Sequence, residues 1–151
     1  MLQCSIRYVL AAALALAALN LNADDQVSRF DDHIVRHTVI PSTMIRPEIA
    51  EEYNLVRSRS MALLNVAVQK REGAEDDPIR AVAAHLEGHV TNSVQQQQRL
   101  SFRQVREGDA VYYLAQFQYR DGELLVFDLD VSPHGSQQNL PVRFSRELFN
   151  E

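Results

Sequence analysis

Four histidines stand in two pairs of equal spacing, His33 with His37 and His85 with His89. Histidine is the commonest metal ligand among side chains, and on a helix two residues four apart share a face and can converge on one ion. On a strand the same spacing separates the residues by about 13 Å. Two nitrogens bound to one zinc at ~2.1 Å must lie within roughly 4 Å of each other. Both pairs fall in segments that read as strands, so neither chelates by itself. The remaining route is one histidine from each segment meeting across neighbouring strands. The run His85-Leu86-Glu87-Gly88-His89 also departs from the metalloprotease pattern, which needs Glu directly after the first His. The four are therefore weak metal candidates beside the plainer reading as surface histidines, and no cofactor is expected.

Other residue types are weaker still as chemistry. Asp128 and Asp130 share one strand face, as paired carboxylates for glycoside hydrolysis would, but the plain reading is a solvated face opposite Phe127 and Leu129. Ser58 and Ser60 alternate with Arg57 and Arg59, and no nucleophile-elbow motif surrounds any serine. A Ser-His-Asp set assembled from distant positions remains open. Arg57 and Arg59 share a face, where they bind an anionic ligand or pair with Glu48, Glu51 or Glu52. Tyr112 and Tyr113 point to opposite faces of one strand, one to the core and one to a binding surface. Asn65, between Leu64 and Val66, is a candidate buried polar residue that satisfies loop backbone, with ligand contact as the alternative.

The elements that must position these groups read as strands. Residues 33–40 form the first, stopped by Pro41. Residues 47–53 form a short helix, with Pro47 at its first position and Glu48, Glu51 and Glu52 near its positive end. A strand at 61–69 is expected to pair with 80–91 across the charged loop 71–78, while 92–99, with four consecutive Gln, resists assignment. Residues 100–106 alternate, and 110–120 and 123–132 read as a hairpin closed by Asp121-Gly122. A last strand covers 140–145. About seven strands and one short helix predict an all-β fold, an antiparallel β-sandwich of immunoglobulin-like type.

The N-terminus carries a different signal. Arg7, the apolar run 8–19 and the small residue Ala23 before Asp24-Asp25 form a secretory signal peptide over residues 1–23. A dozen apolar residues fall short of the ~20 that span a bilayer. Residues 24–32 read as a flexible acidic start and 33–151 as one domain. The single Cys, Cys4, leaves with the signal, so the mature chain has no disulfide, thiolate nucleophile or thiolate metal site. Its 14 Lys+Arg against 20 Asp+Glu argue against nucleic-acid binding, which needs a concentrated basic surface.

The stretches Pro47-Glu48-Ile49-Ala50-Glu51-Glu52-Tyr53, Val56-Arg57-Ser58, Ala62-Leu63-Leu64-Asn65-Val66-Ala67-Val68, Phe102-Arg103, Val111-Tyr112-Tyr113 and Phe127-Asp128 agree in order and spacing with a known family. Over residues 33–149 the chain resembles the exported bacterial family catalogued as domain of unknown function 4426. The resemblance implies an exported, β-rich single domain of Gram-negative bacteria and transfers no activity or site residue.

The combined expectation is a periplasmic monomer without a membrane span in the mature chain. It acts as a non-catalytic binding or accessory module for an unknown envelope protein or ligand, with Arg57, Arg59, Tyr112 and Tyr113 as binding candidates. The alternatives are a hydrolase assembled from distant strands, which predicts a deep polar pocket, and a small barrel carrying an apolar ligand.

Overall fold

The computed structural model describes residues 26–150; the expected signal peptide lies outside the described residues. Alternation of apolar side chains makes β8 (Ala110–Gln118) and β9 (Glu123–Pro133) two-faced. In β8 Val111, Tyr113, Ala115 and Phe117 are buried, and in β9 Leu125, Phe127, Leu129 and Val131 are. Such faces are stable only when covered, and two antiparallel sheets cover each other.

The first sheet has the order β1 (Val27–Arg29), β2 (His33–Pro41), β3 (Met61–Arg71), β8, β7 (Arg103–Glu107), with β4 (Ile79–Ala81) also on β3. The second runs β10 (Leu140–Leu148), β9, β5 (Ala84–Thr91), β6 (Gln97–Arg99). Taking the seven longer strands alone, this is the order of an immunoglobulin-type sandwich, A-B-E-D facing G-F-C. The other three are three-residue pieces. One of them, β1, lies in the stretch expected to be flexible. It pairs with residues 34–36 of β2, covering the edge that strand would otherwise leave open.

Two expected pairings differ from the structure. Residues 80–91 are not one partner of β3. Only β4 pairs there, opposite Gln69, Lys70 and Arg71, and the rest of that edge is taken by β8 along residues 61–66. With no edge left, β5 crosses to the second sheet and pairs with β9. The segments around Asp121-Gly122 are likewise not a hairpin, because β8 and β9 lie in opposite sheets. A two-residue type I′ turn needs positive φ at both central residues, and here Gly122 has it (69°) while Asp121 does not. The amide of Gly122 donates instead to the Leu148 carbonyl at 2.7 Å, fixing a corner between sheets. In the segment 92–99, Asn92 Oδ1 accepts the amides of Val94 (3.2 Å) and Gln96 (2.9 Å), a side-chain-closed turn leading into β6.

Between the sheets four rings make a continuous stack. Phe117 meets Phe127 edge-on at 5.2 Å, Phe127 stacks on Phe144 at 4.7 Å, and Phe144 stacks on His37 at 3.9 Å. Tyr113 adds a polar tie, its buried hydroxyl accepting the Ala84 amide at 2.8 Å. The inward face of β5 has no side chain at Gly88, where a Cβ would sit 2.6 Å from the Asp128 carbonyl oxygen and 2.6 Å from Leu129 Cδ2. Backbone cannot yield as a flexible side chain can. Gly88→Ala is expected to destabilise the domain by about 1–3 kcal/mol through overpacking, read as a lowered urea midpoint; an unchanged midpoint would contradict this packing of β5 on β9.

Candidate functional site

The connection from β2 to β3 builds an open, mainly apolar cleft outside the core. It folds back over the outer face of the first sheet as a 3-10 turn (Ser42–Met44), helix α1 (Pro47–Glu52) and an extended return. Six residues are too few for an independent helix, so α1 depends on packing. Ile45 and Ala50 form a second cluster with Leu63, and Ile40, Leu55 and Leu114 pack against it. The neck of this flap is closed by Ser42, whose hydroxyl donates to the Ser58 carbonyl and accepts the Ser58 amide, both at 2.8 Å. The side-chain amide of Gln116 bonds both the N–H and the C=O of Val56 at 2.9 Å, substituting for a strand pair.

Between the flap and β7 lies a cleft of about 390 Å³. Its walls are Ile49 and Tyr53 from α1 and its end, Leu63 and Asn65 from β3, Val105 from β7, and Tyr112 and Leu114 from β8. Volume and apolar lining fall within the range of small-molecule sites. The Tyr53 hydroxyl donates to Glu107, and Arg103 donates to the Tyr53 carbonyl, which fastens the rim to β7. The bond to Glu107, reinforced by burial and the nearby negative charges, pushes the Tyr53 hydroxyl up to about 12. Tyr53 therefore stays a protonated donor near neutral pH rather than a phenolate nucleophile. Asn65 lines the cleft, and its Oδ1 is buried without a hydrogen-bond partner.

Of the residues singled out by sequence, Tyr112 lies in this wall and Tyr113 in the core. Arg57 and Arg59 lie at the exposed neck; Arg57 donates to the Thr43 carbonyl at 3.2 Å. Among the described residues the helix carboxylate in an ion pair is Glu48, with Arg46 at 3.7 Å. Asn65 does not satisfy loop backbone, because it sits mid-strand opposite Thr38 and Leu114. Ile49, Tyr53, Leu63, Val105, Glu107 and Leu114 were not singled out. For Leu63 the signal was the nearly unbroken apolar run 61–68, which marks a strand covered on both faces.

The histidine pairs separate. His33 and His37 are buried on β2, the His33 Nδ1–H donating to the Asp32 carboxylate at 2.8 Å, whereas His85 and His89 lie on the outer face of β5 in the other sheet. β2 and β5 are not neighbours, so the core stands between the pairs. Among the described residues no three His, Cys, Asp or Glu side chains group to hold a metal. His33 does line a pocket of about 320 Å³ with Ser136. There the Ser136 hydroxyl accepts the Gln138 amide at 3.1 Å, and no hydrogen bond joins it to His33 among the described residues.

On the second sheet, cross-strand register aligns Arg99, His89, Asp128 and Arg143. Asp128 lies 3.4 Å from Arg143 and 3.7 Å from His89. Open depressions of about 700 and 590 Å³ flank this row. They are larger than the cleft, but their charges compensate one another and their walls are solvated, so exposed pairing accounts for them. Asp130 accepts from Asn139 at 3.1 Å on the same solvated side.

Strand order and site together define an immunoglobulin-type β-sandwich with an apolar cleft under a side flap. The chain belongs to the family described as domain of unknown function DUF4426, which matches residues 27–151. It is similar to the crystal structure of a DUF4426 family protein from Pseudomonas aeruginosa PAO1, with 32% identity and a TM-score of 0.70 over 83% of this chain and 95% of that one. It is also similar to FetP of a uropathogenic E. coli strain, expressed recombinantly in the E. coli periplasm. The identity is 8% and the TM-score 0.60 over 83% and 93% of the two chains. At that identity the likeness shows the fold alone. No curated protein matches. Among the described residues no helix is long and apolar enough to cross a membrane.

Proposed function

We propose that the protein is exported to the periplasm and works there as a non-catalytic binding module, with the cleft beneath the β2–β3 flap as its ligand site. The signal-peptide pattern of residues 1–23 supports export. The observation that carries the binding role is the apolar cleft between the flap and β7, with the Asn65 side chain as a polar group in its lining. Exposed apolar side chains on the flap, Met44 and Val56, extend the surface beside it.

The test uses protein released by osmotic shock, with its N-terminus expected at Asp24, and the fluorescent apolar probe N-phenyl-1-naphthylamine. The probe is expected to brighten and shift to the blue on binding. Val105→Trp, which fills the cleft from β7, is expected to weaken binding at least about tenfold, as a loss of roughly 1.4 kcal/mol implies, without changing the far-UV spectrum. No probe binding by the unmodified protein, or full binding by Val105→Trp, would reject the cleft as the site.

A further inference from the structure

Resting on the binding reading above, we infer that the cleft takes an uncharged carbonyl compound, a ketone, ester or amide whose apolar body fills the pocket and whose carbonyl oxygen accepts from the side-chain N–H2 of Asn65. The orientation of that side chain decides the sense of recognition. Asn65 sits mid-strand on β3, opposite Thr38 and Leu114 of the neighbouring strands, and lines the cleft. Its Oδ1 is sealed from solvent, so the amide meets the cleft through its nitrogen end. Among the described residues nothing accepts from that nitrogen. An amide N–H2 carries two donors and no acceptor, so only an acceptor satisfies it.

The surrounding walls offer no such acceptor. Leu63, Leu114, Val105 and Ile49 supply apolar contact and no hydrogen-bonding side-chain atoms. A ligand that fills the cleft keeps water from the amide, and must then supply the acceptor itself or leave the donor unmet. A hydrocarbon leaves it unmet. A carbonyl oxygen meets it and brings no proton that needs a partner of its own. The mouth argues for an uncharged head. The Glu107 carboxylate lines it, accepting from Tyr53, and Arg46 lines it with its side chain 79% exposed and Glu48 at 3.7 Å. One negative charge and one solvated, partly compensated positive charge give an anion little net attraction. Taking a carboxylate out of water also costs far more than taking a carbonyl.

The experiment displaces N-phenyl-1-naphthylamine from the full mature protein with valerophenone, with pentylbenzene, and with 5-phenylpentanoate. Pentylbenzene has the valerophenone skeleton with a methylene in place of the carbonyl. The unmodified protein is compared with Asn65→Leu, which keeps the bulk of the side chain and removes the donor. The readout is the ratio of ketone to hydrocarbon affinity, because the different costs of leaving water cancel between the two proteins. Asn65→Leu is expected to lower that ratio about tenfold, by losing the bond to the ketone and by no longer stranding a donor beneath the hydrocarbon. From the unmodified protein, 5-phenylpentanoate is expected to displace the probe less well than valerophenone. A ratio lowered by less than about threefold overturns the inference while leaving the cleft as a binding site. Stronger displacement by the carboxylate than by the ketone overturns the uncharged class. Absence of probe binding removes the underlying reading instead. Should Asn65→Leu fail to fold, Asn65→Ala makes the same comparison, because the space it opens serves both ligands and drops out of the ratio.

Discussion

Phe127→Ala is expected to lower the unfolding free energy by about 4 kcal/mol, a large share of the 5–15 kcal/mol that holds an ordinary domain together. The ring has no exposed surface and lies on β9, the strand between β10 and β5 in the second sheet. It bridges the sheets, edge-on to Phe117 at 5.2 Å and stacked on Phe144 at 4.7 Å. Truncation removes its apolar contacts and leaves a cavity between rings held by separate strands, so collapse around it is limited. The control is Leu124→Ala on the opposite face of the same strand, where the side chain is half exposed. That change is expected to move stability by no more than about 0.5 kcal/mol. Urea denaturation of both variants makes the comparison; similar losses would contradict the assignment of inner and outer faces on β9.

The second large effect is loss of stability on acidification, through His37. Its side chain is 3% exposed, its Nδ1 has no partner, and its ring lies flat against Phe144. Burial, with the positive charge of Arg146 added, pushes its pKa down from 6.5 to about 4. The folded protein therefore holds His37 neutral where an unfolded chain would protonate it. Between about pH 6.5 and 4 the unfolded state binds the extra proton, so the stabilisation present above 6.5 is lost as pH falls through that window. The loss amounts to roughly 3 kcal/mol by pH 4, taking about 1.4 kcal/mol for each pH unit of separation. His37→Phe, which keeps an aromatic ring against Phe144 without a titrating nitrogen, is expected to remove this part of the slope. Urea unfolding of both proteins at pH 7, 6 and 5 tests it. If the variant loses as much stability between pH 7 and 5 as the parent, the proton uptake lies elsewhere.

Strand faces were legible wherever polar and apolar residues alternate, as in β8 and β9. Alternation is a local property, because side chains one residue apart must point to opposite faces of any strand. The limits of the short helix were also close, since Pro47 starts it and the left-handed backbone at Asn54 follows its end. The family resemblance carried over the same segments, though without an assigned activity. The cleft was less legible. Tyr112 and Asn65 drew notice, but Tyr53, Val105 and Glu107 come from segments far apart in the chain and read individually as ordinary rim or strand residues.

The sequence by itself determined the all-β class, the apolar face of strands that alternate, as β8 and β9 do, and the absence of any cysteine after residue 23. Each follows from composition or from the period-two geometry of an extended chain. Tertiary structure alone decided that β8 and β9 face each other across the core, that β5 leaves β3 for β9, and that the histidine pairs lie on separate sheets. It also decided that Asn65 would line the cleft on the outer face of the first sheet. These outcomes depend on which strand edge is already occupied and what folds over a sheet face, and both are set by residues remote in sequence. An inward-facing apolar row is satisfied equally by a neighbour in its own sheet and by a sheet above it. The Asp-Gly corner shows how competition for edges makes that choice.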